Sequence, residues 1–64
     1  MYNELKSARL EANLTQKEVA EALKISQPAI AKWESGKGAA PNISRLMELA
    51  DMYHTSVDRL MGRI

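Results

Sequence analysis

Sixty-four residues, a formal net charge of +1, no cysteine and one histidine set narrow bounds. Such a chain is expected to form one domain over residues 1–64, near the size limit below which a core needs staples; a disulfide framework and a thiolate metal site are excluded, and a lone histidine makes a poor metal ligand set. No apolar run approaches the roughly 18 residues of a membrane span and no hydrophobic leader opens the chain, so the expectation is a soluble, cytoplasmic protein with no membrane partner.

The first helix is predicted from near Tyr2–Asn3 to about Ala12, with Leu5, Ala8 and Ala12 facing inward and Glu4, Lys6 and Glu11 outside. Asn13 is the residue type that most often stands in for glycine at a left-handed helix end, and Leu14 then drops into the core. Thr15, with Glu18 three residues on, has the pattern of a capping box and opens a second helix at Gln16. Val19, Ala20 and Leu23 form its apolar stripe, and the small Ala20 lets another helix cross closely.

Lys24–Ile25 interrupt the run, and Ser26-Gln27-Pro28 starts a third helix, since proline is tolerated only in a first turn. Ile30 and Trp33, three apart, give this helix its inward face, and Trp33 is read as core rather than as a stacking platform. Gln27, Pro28, Ala29, Ala31 and Lys32 point elsewhere, so the outer face is shaped to lie against something. Ser35 to Pro41 is the only loop-like stretch of any length, with glycines and a proline that redirect the chain. Asn42 caps a fourth helix whose Ile43, Leu46, Met47, Leu49, Ala50 and Tyr53 are expected to make a broad apolar face. Ser56, Val57 and Asp58 start a short fifth helix that Gly62 ends, burying Val57, Leu60 and Met61. The prediction is an all-α fold of five helices without strands.

Charge is unevenly placed along this chain. Residues 24–45 hold Lys24, Lys32, Lys37 and Arg45 against Glu34 alone, a balance of +3, while the stretches on either side are each −1. The positive excess sits on the third helix and the loop after it, the electrostatic footprint of a phosphate-binding module.

Two helices joined by a short turn are a weak signal alone. Here Leu14-Thr15-Gln16, Val19-Ala20, Leu23, Ile25-Ser26-Gln27, Ile30 and Trp33-Glu34-Ser35-Gly36-Lys37 occur together, with Arg9 upstream and Leu46, Leu49-Ala50, Ser56 and Leu60 downstream. This set resembles the lambdoid phage repressor and Cro family, also called the Xre family, over nearly the whole chain. The resemblance implies a lambda-repressor-like domain with its helix-turn-helix at helices 2 and 3. One departure is Lys24, where the family's turn usually has glycine; lysine adopts positive φ at a cost of about 1 kcal/mol.

Gln27 is the leading candidate for base recognition, because a glutamine amide can donate and accept together at adenine N7 and N6. Resemblance gives the matching glutamine that role, and implies that Gln16 touches a phosphate and braces Gln27. Pro28 and Ala29 carry no hydrogen-bonding side chain and can meet only thymine methyls or sugar, while Lys32 is placed for phosphate or guanine. So few polar readers imply reliance on DNA shape. Gln16, Lys17, Lys37, Asn42 and Arg45 are the expected backbone contacts, the last three around the start of helix four, whose N–H groups can hold a phosphate. Arg9 and Glu34 are placed together by the resemblance, as an ion pair tying helix one to the end of the reading helix.

No nucleophile with a base, carboxylate pair in a pocket or glycine-rich phosphate loop is evident, so neither an enzyme nor a cofactor is expected. The function implied is sequence-specific binding of double-stranded DNA by a transcriptional repressor. Its partner would be an operator of two-fold symmetry, bound by a homodimer for which Val57, Met61, Arg63 and Ile64 are candidate contacts. The rival reading is a helical protein-interaction module, antitoxin-like or a co-regulator subunit, with little sequence-specific DNA binding.

Overall fold

The computed structural model describes residues 4–37 and 40–62. Over these it contains α1 (Glu4–Glu11), α2 (Gln16–Leu23), α3 (Gln27–Ser35), α4 (Ile43–Met52) and α5 (Val57–Leu60), with no strand among the described residues. The expected start of the first helix at Tyr2–Asn3 lies outside the described residues, as do Gly38, Ala39, Arg63 and Ile64.

One hydrophobic cluster unites the helices: Leu5 and Ala8 from α1, Val19, Ala20 and Leu23 from α2, Ile30 from α3, Leu46, Leu49, Ala50 and Tyr53 along α4, and Leu60 from α5. Leu14 and Trp33 are half-buried and pack against it. Of the helix pairs, α2 and α3 are in the most extensive contact, which the small side chain of the buried Ala20 permits; α1 rests on α3 and α5.

Local chemistry fixes the helix ends. At the start of α2 the Thr15 hydroxyl accepts from the Glu18 N–H at 3.0 Å and the Glu18 carboxylate accepts from the Thr15 N–H at 2.8 Å, so both arms of the capping box are closed. Asn42 accepts from the Arg45 N–H at 2.9 Å and Ser56 from the Arg59 N–H at 3.1 Å, capping α4 and α5. Ser26 holds the N-cap position of α3 but its side chain makes no cap bond; its carbonyl instead accepts from the Ala29 N–H at 3.1 Å.

α1, α2 and α4 end alike, each on a non-glycine residue in the left-handed region: Asn13 (φ 61°), Lys24 (φ 59°) and His54 (φ 54°). In each case the next residue's N–H reaches five positions back, from Leu14 to Arg9, Ile25 to Ala20 and Thr55 to Ala50. These bonds satisfy carbonyls that the helix leaves unpaired and offset the left-handed penalty. Lys24 therefore takes the glycine-like conformation that the turn between α2 and α3 requires.

The apolar face of α4 is narrower than its sequence implies. Leu46, Leu49, Ala50 and Tyr53 are buried at i, i+3, i+4, i+7, but Ile43 is 61% and Met47 60% exposed. Met47 is one step of about 100° around the helix from Leu46, and Ile43 is the first residue of the helix, ahead of the buried run that begins at Leu46.

Candidate nucleic-acid interface

The surface of interest is the outer side of α3 with the start of α2. Ile30 anchors α3 at 1% exposure, which turns Gln27, Pro28, Ala31 and Lys32 to solvent. Gln27, Pro28 and Ala31 share a shallow concavity with Gln16 from the first turn of α2. Ala29, expected on this face, is half-buried, because it lies next to Ile30 on the side of the helix that turns toward the core. Proline in the first turn removes one of the unpaired N–H donors that a helix start otherwise carries.

A buried polar cluster beneath this face fixes the angle of α3. Arg9 donates from Nε to Glu34 Oε2 at 2.6 Å and from Nη2 to Oε1 at 3.1 Å. Its Nη1 donates to the Leu14 carbonyl at 2.8 Å, so the guanidinium also holds the chain between α1 and α2. The two side chains are only 8% and 5% exposed. The bond to Glu34 raises the Arg9 pKa despite burial, and the guanidinium is permanently charged. Tyr53 lies near enough to feel the pair: burial first, then the Glu34 charge, push its phenol up to about 12, with Arg9 opposing.

Gln16 differs from what the family resemblance implied. Among the described residues its side-chain hydrogen bond runs from Nε2 to Glu34 Oε1 at 3.0 Å, not to Gln27. The physical reason is charge: a carboxylate is a stronger acceptor than a neutral amide, and Glu34 stands one helix turn or more from Gln27 on the same α3.

The surrounding cations fall into two kinds. Lys17, Lys24, Lys32 and Lys37 are exposed, and no ion pair to an acid is formed by them among the described residues. Arg45 is half-buried and engaged within the chain, donating to Glu48 at 3.0 Å and, at 3.4 Å, to the Leu23 carbonyl. It thus ties α4 to the end of α2 rather than standing free beside Lys37. Asn42 has its Oδ1 committed to the α4 cap, which leaves its amide N–H groups to donate outward. Of the candidate dimer residues, Val57 and Met61 are half-buried against their own core, and Arg63 and Ile64 lie outside the described residues.

Arg59 carries a cluster that sequence reasoning missed. It donates to Glu11 at 2.9 and 2.8 Å and lies 3.8 Å from Glu4, joining α5 to α1. Glu11 is 48 positions away and Glu4 farther still, and helix periodicity gives no signal at that separation. No group of acidic, histidine or cysteine side chains able to hold a metal occurs among the described residues. No helix there is long and apolar enough to cross a membrane.

Comparison with known proteins agrees with this geometry. A family model described as helix-turn-helix matches residues 5–60. The chain is 43% identical over 62 residues to the HTH-type transcriptional activator BcrR of Enterococcus faecalis, covering 95% of this chain and 30% of that protein. It is 37% identical over 59 residues to the cryptic phage CTXphi transcriptional repressor RstR of Vibrio cholerae, covering 92% of this chain and 52% of the relative. The HTH-type transcriptional regulator ImmR of Bacillus subtilis is also 37% identical over 59 residues, with 92% and 46% covered. The chain thus spans between 30% and 52% of the length of these curated relatives.

Proposed function

The chain belongs to the helix-turn-helix family, and from that premise we propose that it binds double-stranded DNA sequence-specifically as a transcriptional regulator, with α3 in the major groove. The observation that carries this reading is the outer face of α3: Gln27 exposed at its first position, Lys32 a turn or more beyond, and a buried Arg9–Glu34 pair setting the helix angle. Gln27 with Lys32 is assigned to base edges, Pro28 and Ala31 to close apolar contact, and the half-buried Ala29 at most to its margin. Lys17, Lys37, Asn42 and Gln16 are assigned to the backbone, where they add affinity and register but no sequence information. Arg45 contributes there only by giving up its bond to Glu48. The role is binding without catalysis.

Repression is the favoured outcome, because occupying an operator suffices for it, whereas activation needs a further contact. RstR is named a repressor and BcrR an activator, so both outcomes occur among the relatives. A two-fold dimer would span half-sites about 34 Å apart. The exposed parts of Val57 and Met61, with Arg63 and Ile64, are the proposed contact between copies.

The test is selection from a pool of random duplex DNA followed by salt titration on the enriched site. A two-fold symmetric sequence is expected, with log K falling against log salt by about 0.9 per phosphate neutralised. No enrichment, together with salt-insensitive capture of a protein partner, would replace DNA reading by the protein-interaction role.

A further inference from the structure

Glu34 does more in this structure than neutralise Arg9. Its carboxylate can only accept hydrogen bonds, and Oε1 accepts both from Arg9 Nη2 at 3.1 Å and from Gln16 Nε2 at 3.0 Å. Turning the Gln16 amide over would set its carbonyl oxygen against a carboxylate oxygen. That exchange loses a charge-assisted hydrogen bond and adds repulsion, so the amide has one orientation. Its NH₂ is held by Glu34, and its Oε1 remains as the acceptor available to the concavity that Gln16 lines with Gln27, Pro28 and Ala31.

Glu34 itself, with a side chain 5% exposed, is shielded from any partner lying on that face. We propose that Glu34 is a positioning residue for base recognition, acting through the Gln16 amide to fix which end of the Gln27 amide is left to read a base. The proposal rests on the DNA-binding reading above. When Gln27 swings to Gln16 on the DNA, it can only donate to the acceptor it finds there. Its own oxygen and its second N–H then face outward together. Adenine complements that pair with N6–H and N7, whereas guanine offers two acceptors and leaves the glutamine oxygen facing O6. A Gln16 amide free to flip would let Gln27 flip with it, and the distinction between adenine and guanine would be lost.

The test compares wild type, Gln16→Met and Glu34→Gln by selection from random duplex DNA, with affinity for one fixed unselected duplex and the melting midpoint as controls. Gln16→Met keeps the length of the side chain and the Arg9–Glu34 pair but removes the oriented amide. It is expected to melt as wild type does and to bind the unselected duplex more weakly by no more than the loss of the one backbone contact assigned to Gln16. The preference for adenine over guanine at the Gln27 position should fall by about tenfold, the scale of a bidentate base contact. Glu34→Gln, whose new amide can donate as well as accept, should lower the same preference without touching DNA. It also removes the counter-charge of Arg9 and can unfold the chain, in which case the double variant Arg9→Met with Glu34→Gln, which strands no buried charge, takes its place. An adenine preference that survives Gln16→Met unchanged, with all duplexes bound equally more weakly, overturns the proposal and leaves Gln16 a backbone contact alone. If the wild type itself enriches no sequence, the DNA-binding reading falls and this proposal with it.

Discussion

Two arginines in this small protein make nearly the same bonds in opposite settings. Arg9 grips Glu34 with two nitrogens in a cluster almost closed to solvent, and its third nitrogen donates to the Leu14 carbonyl. Arg59 grips Glu11 with two nitrogens at 2.9 and 2.8 Å, but its side chain is 30% and that of Glu11 64% exposed. Bond count alone would rank them equal. Desolvation separates them: the buried pair leaves an uncompensated charge if either partner is lost, while either exposed partner simply returns to water. The buried clamp therefore dictates where α3 stands relative to α1 and α2. The exposed one adds only a salt-sensitive tether between α1 and α5.

The largest effect should come from splitting the buried pair. Arg9→Met or Glu34→Ala is expected to cost about 3–5 kcal/mol in urea denaturation, enough to unfold much of a marginal domain. Replacing both partners with apolar residues should cost less than the two single losses added together, because no charge is then stranded. A single loss at Arg9 no larger than one at Arg59 would break the comparison.

Tyr53 extends the same contrast to alkaline pH. Its folded phenol is pushed up to about 12, first by burial and then by Glu34. A folded pKa raised above the unfolded value gives stability that is complete below about pH 10 and lost as pH rises toward the folded value. Wild-type stability should decline over that interval, and Tyr53→Phe should lessen the decline. Equal alkaline declines in the two proteins would show that the phenol ionises as readily in the folded chain as in the unfolded one.

The smallest effect belongs to the exposed clamp. Arg59 holds the Glu11 carboxyl below its usual range through their hydrogen bond, then through charge. A depressed folded pKa contributes stability above the ordinary carboxylate range, lost as pH falls through the folded value. Glu11→Gln should therefore make a small difference to thermal melting at neutral pH and low salt, and none in strong acid. High salt should also erase it, since exposed charges are screened. A loss that persists in salt would place Arg59 with Arg9.

The sequence was legible wherever the determining chemistry is local. Thr15 and Glu18, three apart, announce a closed capping box; Asn13 announces a left-handed helix end, while that at Lys24 was expected only because the resembling family has glycine there; Ile30 identifies the buried side of α3. Legibility fails where distant elements decide. The stripe rule could not say that the buried run of α4 begins only at Leu46, which leaves Ile43 exposed, or that it is too narrow to include Met47. Arg45 is the opposite case, since Glu48 stands three residues on in the same helix and that pairing was open to the sequence. The Gln16–Glu34 bond spans 18 positions and required the packing of α2 on α3, and the Arg59–Glu11 bond spans 48. The Arg9–Glu34 pair, 25 apart, was legible only through family resemblance.

The account turns on α3 as the element that reads DNA, and Gln27→Ala tests it most directly. Affinities of wild type and variant should be measured on the selected duplex and on its single-base changes. The account predicts a loss of about 1–3 kcal/mol confined to one base position, with an unchanged salt slope. A uniform loss at every position, or no loss at all, would contradict it and move base reading off the outer face of α3.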